Sequence, residues 1–247
     1  MPEKNLPIKI FEKRKNVDDR LTEGGGNSVP PKWVLQDEDA LVGKSVQLLN
    51  SIHHMQQDLT GRFEKYENVP AVMTARIIDD ALAKSHRSDF VKALTPSRQD
   101  RLIGFSDNSE LLIKVEEPKQ LMEIDKQLRA VERNAKAISG VESINLFDPK
   151  IEVEGTPLDK DGRYVLKVRL FNFKNSQQNQ NVLLKFKDVL SINSHFHFVR
   201  QVQYAEGLDI LHITTDSLEA IDDISDFSAI QSIQSMPTVE VVLDDFF

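Results

Sequence analysis

The order of short apolar segments in residues 163–247 restricts the fold of this 247-residue chain more than any other feature. Apolar residues that alternate with polar ones predict strands, and apolar residues three or four apart predict helices. By these criteria the block contains strand 163–173, helix 176–190, strands 195–203 and 208–214, a helix after Asp216, and strand 239–243. Asp216 and Glu219 have the spacing of a capping box. Glu206-Gly207 predicts a tight turn between the middle strands.

This order, β-α-β-β-α-β, is typical of a ferredoxin-like fold, in which two helices cover one face of an antiparallel sheet. We therefore predict an α+β protein. Residues 67–150 show a related but less regular order: strand 69–78, a hairpin of 102–105 and 111–115, one helix over 118–139, and strand 141–147. Pro118 suits the first turn of that helix, and Gly140 suits the position after its end. This block is a candidate for a degenerate second copy, and the Gly and Pro residues of 148–162 predict a boundary between the two units.

A long amphipathic helix is predicted within residues 33–66, ahead of the first unit. Its apolar residues recur at spacings of three and four and form one stripe. They are Leu41, Leu48, Ile52, Met55, Leu59 and Phe63. We expect this stripe to bind a partner surface, which is the chain's own domain, a second copy or another protein. Residues 1–32, with three consecutive glycines and the pair Pro30-Pro31, are predicted to be a flexible lead segment.

Composition and charge exclude several classes of protein. The chain has no cysteine, which rules out disulfides, thiolate chemistry and a Zn–Cys site. No apolar run approaches the ~18–20 residues of a membrane span, and the first residues lack the apolar core of a secretory signal. We therefore expect a cytoplasmic protein that does not bind membranes. The net charge of −8 argues against a general nucleic-acid binder.

The acidic residues are concentrated in the last fifth of the chain. After Arg200 there is no Lys or Arg but ten acidic residues, so the preceding residues are close to neutral. This distribution fits either a solvated acidic face or a surface that attracts a basic or neutral partner.

Catalytic and metal-binding motifs are missing from the sequence. It has no Gly-x-Ser-x-Gly nucleophile elbow, and no Lys-Ser/Thr pair follows the glycine run, as a phosphate-binding loop requires. His195, His197 and His212 are predicted on paired strands and are the candidate metal ligands. The alternative is that they are polar residues on an open sheet face. We expect no cofactor and no catalytic residue in this chain.

Several short motifs resemble one protein family. They are Leu6-Pro7-Ile8-Lys9, then Ala83, Lys84, Ser85, His86 and Arg87 after the strand ending at Ile78, and Ile138-Ser139-Gly140-Val141-Glu142-Ser143-Ile144. Together they resemble the N-terminal region of bacterial subtilisin-like (S8) serine peptidases, of the type encoded beside an AAA ATPase. The resemblance extends over most of the chain.

The resemblance implies a non-catalytic role for this chain. In that family a protease domain follows, with Asp-Thr/Ser-Gly, His-Gly-Thr and Gly-Thr-Ser motifs. None of these motifs occurs here, so no catalytic residue is assigned. The implied full-length parent is a serine endopeptidase, and this chain is either its cut or autoprocessed N-terminal fragment or a stand-alone relative. The implied partners are the cognate protease domain and an AAA ATPase.

The resemblance also implies a mechanism. A propeptide of this kind acts as a folding template and product-like inhibitor: its sheet packs on the protease, and its C-terminal strand continues into the substrate cleft. The cleft-binding tail would be Leu243, Asp244, Asp245, Phe246 and Phe247. The alternative function is an adaptor without catalysis, which links a protease to an AAA ATPase or another partner through the 33–66 helix.

Overall fold

Two β-sheets, each with helices on one face, are the main features of the computed structural model of this chain. The chain divides into two units, Met1–Lys32 and Trp33–Phe247. The structure describes residues 30–82, 86–96, 99–106, 110–205 and 207–236. The protein is α+β, as the sequence predicts.

The first half contains a four-stranded antiparallel sheet. Its elements are α1 (Glu38–Lys65), β1 (Ala71–Ile77), α2 (Arg87–Leu94), β2 (Leu102–Phe105), β3 (Glu110–Val115), α3 (Lys119–Arg129), α4 (Ala135–Gly140) and β4 (Val141–Leu146). The strand order is β2-β3-β1-β4, with every neighbouring pair antiparallel. Placing the first and third strands at the centre is the ferredoxin-like order.

The apolar stripe of α1 packs inside this first half. Five of its six residues are at most 8% exposed, and the sixth is partly buried against the same core; in order they are Leu41, Leu48, Ile52, Met55, Leu59 and Phe63. Ser45 is also buried and donates its hydroxyl to the Leu128 carbonyl at 2.7 Å. The surface that covers the stripe is thus the chain's own core. Of the three alternatives, the first is therefore the one observed, and the structure corrects the expectation that these residues bind a partner molecule.

The helix expected over 118–139 is in fact two helices. The chain leaves helical geometry at Ala130 and resumes it at Ala135. The side-chain amide of Asn134 donates to the carbonyls of Gln127, at 2.7 Å, and Ala130, at 3.5 Å. An Asn side chain that bonds nearby backbone carbonyls in this way favours a turn over a continuous helix.

The second half contains a five-stranded sheet. Its elements are β5 (Lys150–Glu152), β6 (Tyr164–Leu170), α5 (Ser176–Ile192), β7 (Phe196–Ala205), β8 (Leu208–Thr215), α6 (Asp222–Ser225) and β9 (Ile230–Ser235). The order is β5-β9-β6-β8-β7, with β5 parallel to β9 and the other pairs antiparallel. Without β5, this order matches that of the first half, so the two halves share one topology.

The fourth strand of this fold is not where the sequence placed it. We expected it at residues 239–243, which lie outside the described residues, whereas the structure forms it at β9. Ser and Gln fill most of β9, and only Ile230 and Ile233 are buried there. Long-range pairing with β6 therefore stabilises a segment whose composition does not favour a strand.

The two halves share a second apolar core. Tyr66, Val69, Val72 and Leu112 of the first half belong to the cluster that also holds α5 and the helix-facing side of the second sheet. The Phe147 and Phe171 rings meet edge to face at 4.7 Å. Part of the first sheet's helix-free face is thus packed against the second half. No described helix covers the corresponding face of the second sheet.

Candidate functional site: the open face of the second sheet

Strand alternation determines which side chains reach the open face of the second sheet. Along β6, Leu166 and Val168 are fully buried against the helices, so Lys167 and Arg169 lie on the opposite face. These two positively charged residues therefore lie at the centre of the sheet on the helix-free side.

The strand register groups polar residues beside them. Lys167 lies opposite His212 on β8 and opposite Gln234 on β9, and Arg200 on β7 lies opposite His212. One row across four strands therefore reads Gln234, Lys167, His212, Arg200. Side chains directly opposite one another on neighbouring strands have Cβ atoms about 4.5–5.5 Å apart, so these groups are close enough to act together.

Three residues of this row, Gln234, Lys167 and His212, line a depression of about 330 Å³. Its lining consists of Lys167, Arg169, Tyr204, Leu208, Ile210, His212, Ser232, Gln234 and Met236. The charged and polar members come from the central strands. Tyr204 and Leu208 come from the β7–β8 hairpin, and Met236 follows β9. The volume is at the lower end of the range for small-molecule sites, roughly 300–1,000 Å³.

The protonation of His212 follows from its one hydrogen bond. The Arg200 Nε–H donates to His212 Nδ1 at 3.0 Å. A guanidinium has no acceptor atom, so Nδ1 carries a lone pair and the ring proton of the neutral form is on Nε2. Burial, and then the positive charge of Arg200, hold the pKa of His212 below its usual range, which favours this neutral form.

His212 Nε2 has no hydrogen-bond partner among the described residues. The side chain is only 4% exposed, and Nε2 is one of the few buried, unpartnered side-chain atoms in the described part of the chain. A buried N–H without an acceptor costs roughly 1–3 kcal/mol. A residue that lines the depression therefore carries an unused, buried donor.

The centre of this face is positively charged, although the whole chain carries −8. Lys167 and Arg169 form no ion pair with any carboxylate of the described residues. Glu152 on β5 is the acidic residue closest in register, and it binds Lys150 at 2.7 Å and accepts from Gln234 at 2.6 Å. The hydrogen bond from Lys150, and then that from Gln234, lower the pKa of Glu152. The charge of Lys167 lowers this pKa further, so Glu152 lies within electrostatic range of the depression although its ion pair is with Lys150.

The structure does not bring the three candidate metal ligands together. His195 precedes β7, and its Nδ1 lies 2.7 Å from the Asp216 carboxylate. His197 is exposed opposite Thr214, and His212 is bonded to Arg200. Within the described ranges, no group of three His, Asp or Glu side chains could hold a metal ion.

The contact with His195 also corrects the predicted capping box. The Asp216 carboxylate binds the imidazole instead of a helix N-terminus, and this hydrogen bond lowers its pKa. At the 3-10 turn Glu219–Ile221, the Ser217 hydroxyl accepts from the Glu219 N–H at 3.2 Å. Ser217 thus occupies the role assigned to Asp216.

The family motif and the proposed tail are described only in part. Ala83, Lys84 and Ser85, and the tail residues Leu243, Asp244, Asp245, Phe246 and Phe247, lie outside the described residues. The His86 ring packs against Trp33 at 5.3 Å, and the Arg87 guanidinium lies 5.1 Å from the centre of the Phe105 ring. The described part of the motif therefore packs within the first half.

Sequence reasoning missed the depression for a definite reason. The alternation of Lys167 and Arg169 with apolar residues shows two cations on one face of a strand. Ser232 and Gln234, however, belong to a strand that was not predicted. Without β9, no pattern places polar side chains beside that pair.

Comparison of the chain with protein-family models, curated proteins and solved structures finds no match. The resemblance to subtilisin-like peptidases therefore stays a prediction from short motifs. Among the described residues, no helix is both long and apolar enough to span a bilayer.

Proposed function

We propose that this chain is the pro-region of a subtilisin-like serine protease, acting as a folding template and product-like inhibitor of the catalytic domain. The observation that carries the proposal is the ferredoxin-like second half, whose sheet has one face that no described helix covers. Such a face can pack on a second protein. Tyr204, which lines the depression on this face and is 62% exposed, supplies apolar area for that contact.

The direction of the chain supports the inhibitory part of the proposal. β9 lies between β5 and β6, and its C-terminal end leads directly into residues 237–247. In the proposed complex the sheet docks first and holds this segment at the substrate cleft. There the segment adds as a strand by main-chain hydrogen bonds. One phenylalanine side chain buried in an apolar pocket would contribute about 2–3 kcal/mol.

The proposed role requires no catalytic residue on this chain. The nucleophile and its base would belong to the protease domain, which makes the full-length parent a serine endopeptidase. We also propose a cytoplasmic location, on the sequence grounds given above. An adaptor role through α1 is not proposed, because the apolar stripe of that helix is buried in the core.

The test is inhibition of the subtilisin-like catalytic domain from the same organism. The purified chain should inhibit peptide hydrolysis, and deleting residues 244–247 should raise the inhibition constant at least tenfold, or about 1.4 kcal/mol. Deleting residues 2–5 instead is the matched control and should leave inhibition unchanged. Equal inhibition by the chain without 244–247 would rule out the tail mechanism, and no inhibition by the intact chain would rule out the function.

A further inference from the structure

We infer that the depression on the open face of the second sheet binds a small organic anion. Its carboxylate or phosphate group would lie at Lys167, Arg169 and His212 Nε2. Its apolar or aromatic part would contact the rim of the depression, formed by Tyr204, Leu208, Ile210 and Met236. This inference goes beyond the proposed function, in which the same face packs on the protease, and it is tested on the isolated chain, where that face is uncovered.

The unpartnered nitrogen of His212 determines the polarity of the ligand. His212 lines the depression and Arg200 binds its Nδ1, so the only polar ring atom left for a ligand is the Nε2–H donor, which is buried until a ligand reaches it. The ligand atom at this position must therefore be an acceptor. Binding would satisfy a buried donor that has no partner in the described part of the chain.

The two positively charged residues determine the charge of the ligand. Lys167 lies directly opposite His212, and Arg169 lies two residues further along the same face. Both carry only donors, and the planar guanidinium suits two parallel bonds to a carboxylate or phosphate. Glu152 also attracts Lys167 through its charge, but this one carboxylate forms its ion pair with Lys150 and faces three cations, Lys150, Lys167 and Arg169, so the face stays net positive. Three donors, and an excess of positive charge among the described residues, favour an oxyanion.

The apolar residues of the rim determine the chemistry of the uncharged part of the ligand. Leu208, Ile210 and Met236 are apolar, and Tyr204 presents an exposed ring. Inorganic phosphate alone would leave this surface uncovered. A volume of about 330 Å³ instead accommodates an anionic group joined to one ring or a short chain.

The test uses the full chain and three probes: phenyl phosphate, benzoate and inorganic phosphate. Long-range ¹H–¹⁵N NMR spectra report on the His212 ring nitrogens. We expect a saturable shift of the Nε2 signal, and tighter binding of phenyl phosphate or benzoate than of inorganic phosphate. Higher salt should weaken binding, because the contact is charged and near solvent.

Variants locate the site. Lys167→Met and Arg169→Met should each raise the dissociation constant roughly tenfold. Lys185→Met, which removes an exposed lysine from α5 on the helix-covered side, is the matched control and should leave it unchanged. Circular dichroism checks that each variant folds. If Arg169→Met does not fold, Arg169→Lys, which keeps the charge but loses the planar fork, takes its place and should still weaken binding.

Two results would overturn the inference. One is the absence of any saturable shift with phenyl phosphate or benzoate up to about 10 mM, a concentration that detects even weak sites. The other is evidence that the chain's own acidic C-terminal segment, with Glu240, Asp244 and Asp245, occupies the depression. In that case the triple variant Glu240→Gln, Asp244→Asn, Asp245→Asn would shift the His212 signals with no anion added.

Discussion

Gly140 shows how packing against a distant side chain can require one small residue. The sequence suggested that it follows a helix end, whereas it is the last residue of α4. A Cβ atom added here would lie 2.6 Å from Phe90 Cζ and 3.1 Å from Trp33 Cζ3. Phe90 is almost fully buried and has little room to move. The close approach of this ring therefore excludes a side chain at position 140.

We predict that Gly140→Ala lowers the free energy of unfolding by about 1–3 kcal/mol, the usual cost of overpacking a core. Gly43→Ala is the control, because a Cβ there meets nothing within 4 Å. Within the second turn of α1, Gly43→Ala should raise stability by roughly 0.5–1 kcal/mol. Denaturant unfolding followed by circular dichroism measures both. Equal effects of the two substitutions would contradict the packing explanation.

At the scale of elements, the break between α3 and α4 lets the chain change direction before β4. A continuous helix over 118–139 would carry residues 135–140 further along the axis of α3. With the turn, α4 instead packs beside α1 and α2. Leu128 before the turn and Ile138 after it are both fully buried in the first core. Asn134 therefore stabilises a turn that the tertiary structure needs.

We predict that Asn134→Ala lowers the free energy of unfolding by roughly 0.5–1.5 kcal/mol, because two carbonyls lose a side-chain donor. Glu132→Ala, at an exposed position in the same turn, should change it by less than about 0.5 kcal/mol. Urea unfolding of both variants gives the comparison. A stabilising effect of Asn134→Ala would show that a continuous helix is tolerated here.

At the scale of the whole molecule, the shared core couples the two halves. The Tyr66 hydroxyl donates to the Asp226 carboxylate at 2.6 Å, and Lys65 binds the other oxygen at 2.7 Å. Beside this contact, the Tyr66 and Phe227 rings meet edge to face at 5.0 Å. Leu112 extends the interface from β3. Because apolar area is buried between the halves, we expect them to unfold together.

We predict that Leu112→Ala lowers the free energy of unfolding by about 2–5 kcal/mol, the cost of a large-to-small change in a core. Leu184→Ala, at a half-exposed position on α5, should cost less than about 1 kcal/mol. Fluorescence of Trp33 reports on the first half, and hydrogen exchange of β6 and β8 reports on the second. A loss of stability confined to the first half would show that the halves unfold independently.

The sequence by itself determined the features that depend on neighbouring residues. The alternation of apolar residues predicted β6, and the helical stripe predicted α5, both close to their observed bounds. The Glu206-Gly207 pair likewise predicted the separation of the two strands observed as β7 and β8. The α+β class followed from their order. These signals are local because side chains two, three or four residues apart share a face of one strand or helix.

Only the tertiary structure decided which distant residues meet. β9 forms from a Ser- and Gln-rich segment because it pairs with β6, whose residues lie sixty or more positions earlier in the chain. The same pairing places Gln234 beside Lys167, and the pairing of β6 with β8 places His212 on the other side. The fold likewise decided that the apolar stripe of α1 is covered by the chain's own core. Contacts between residues so far apart in the chain depend on the whole arrangement of strands, which no local pattern records.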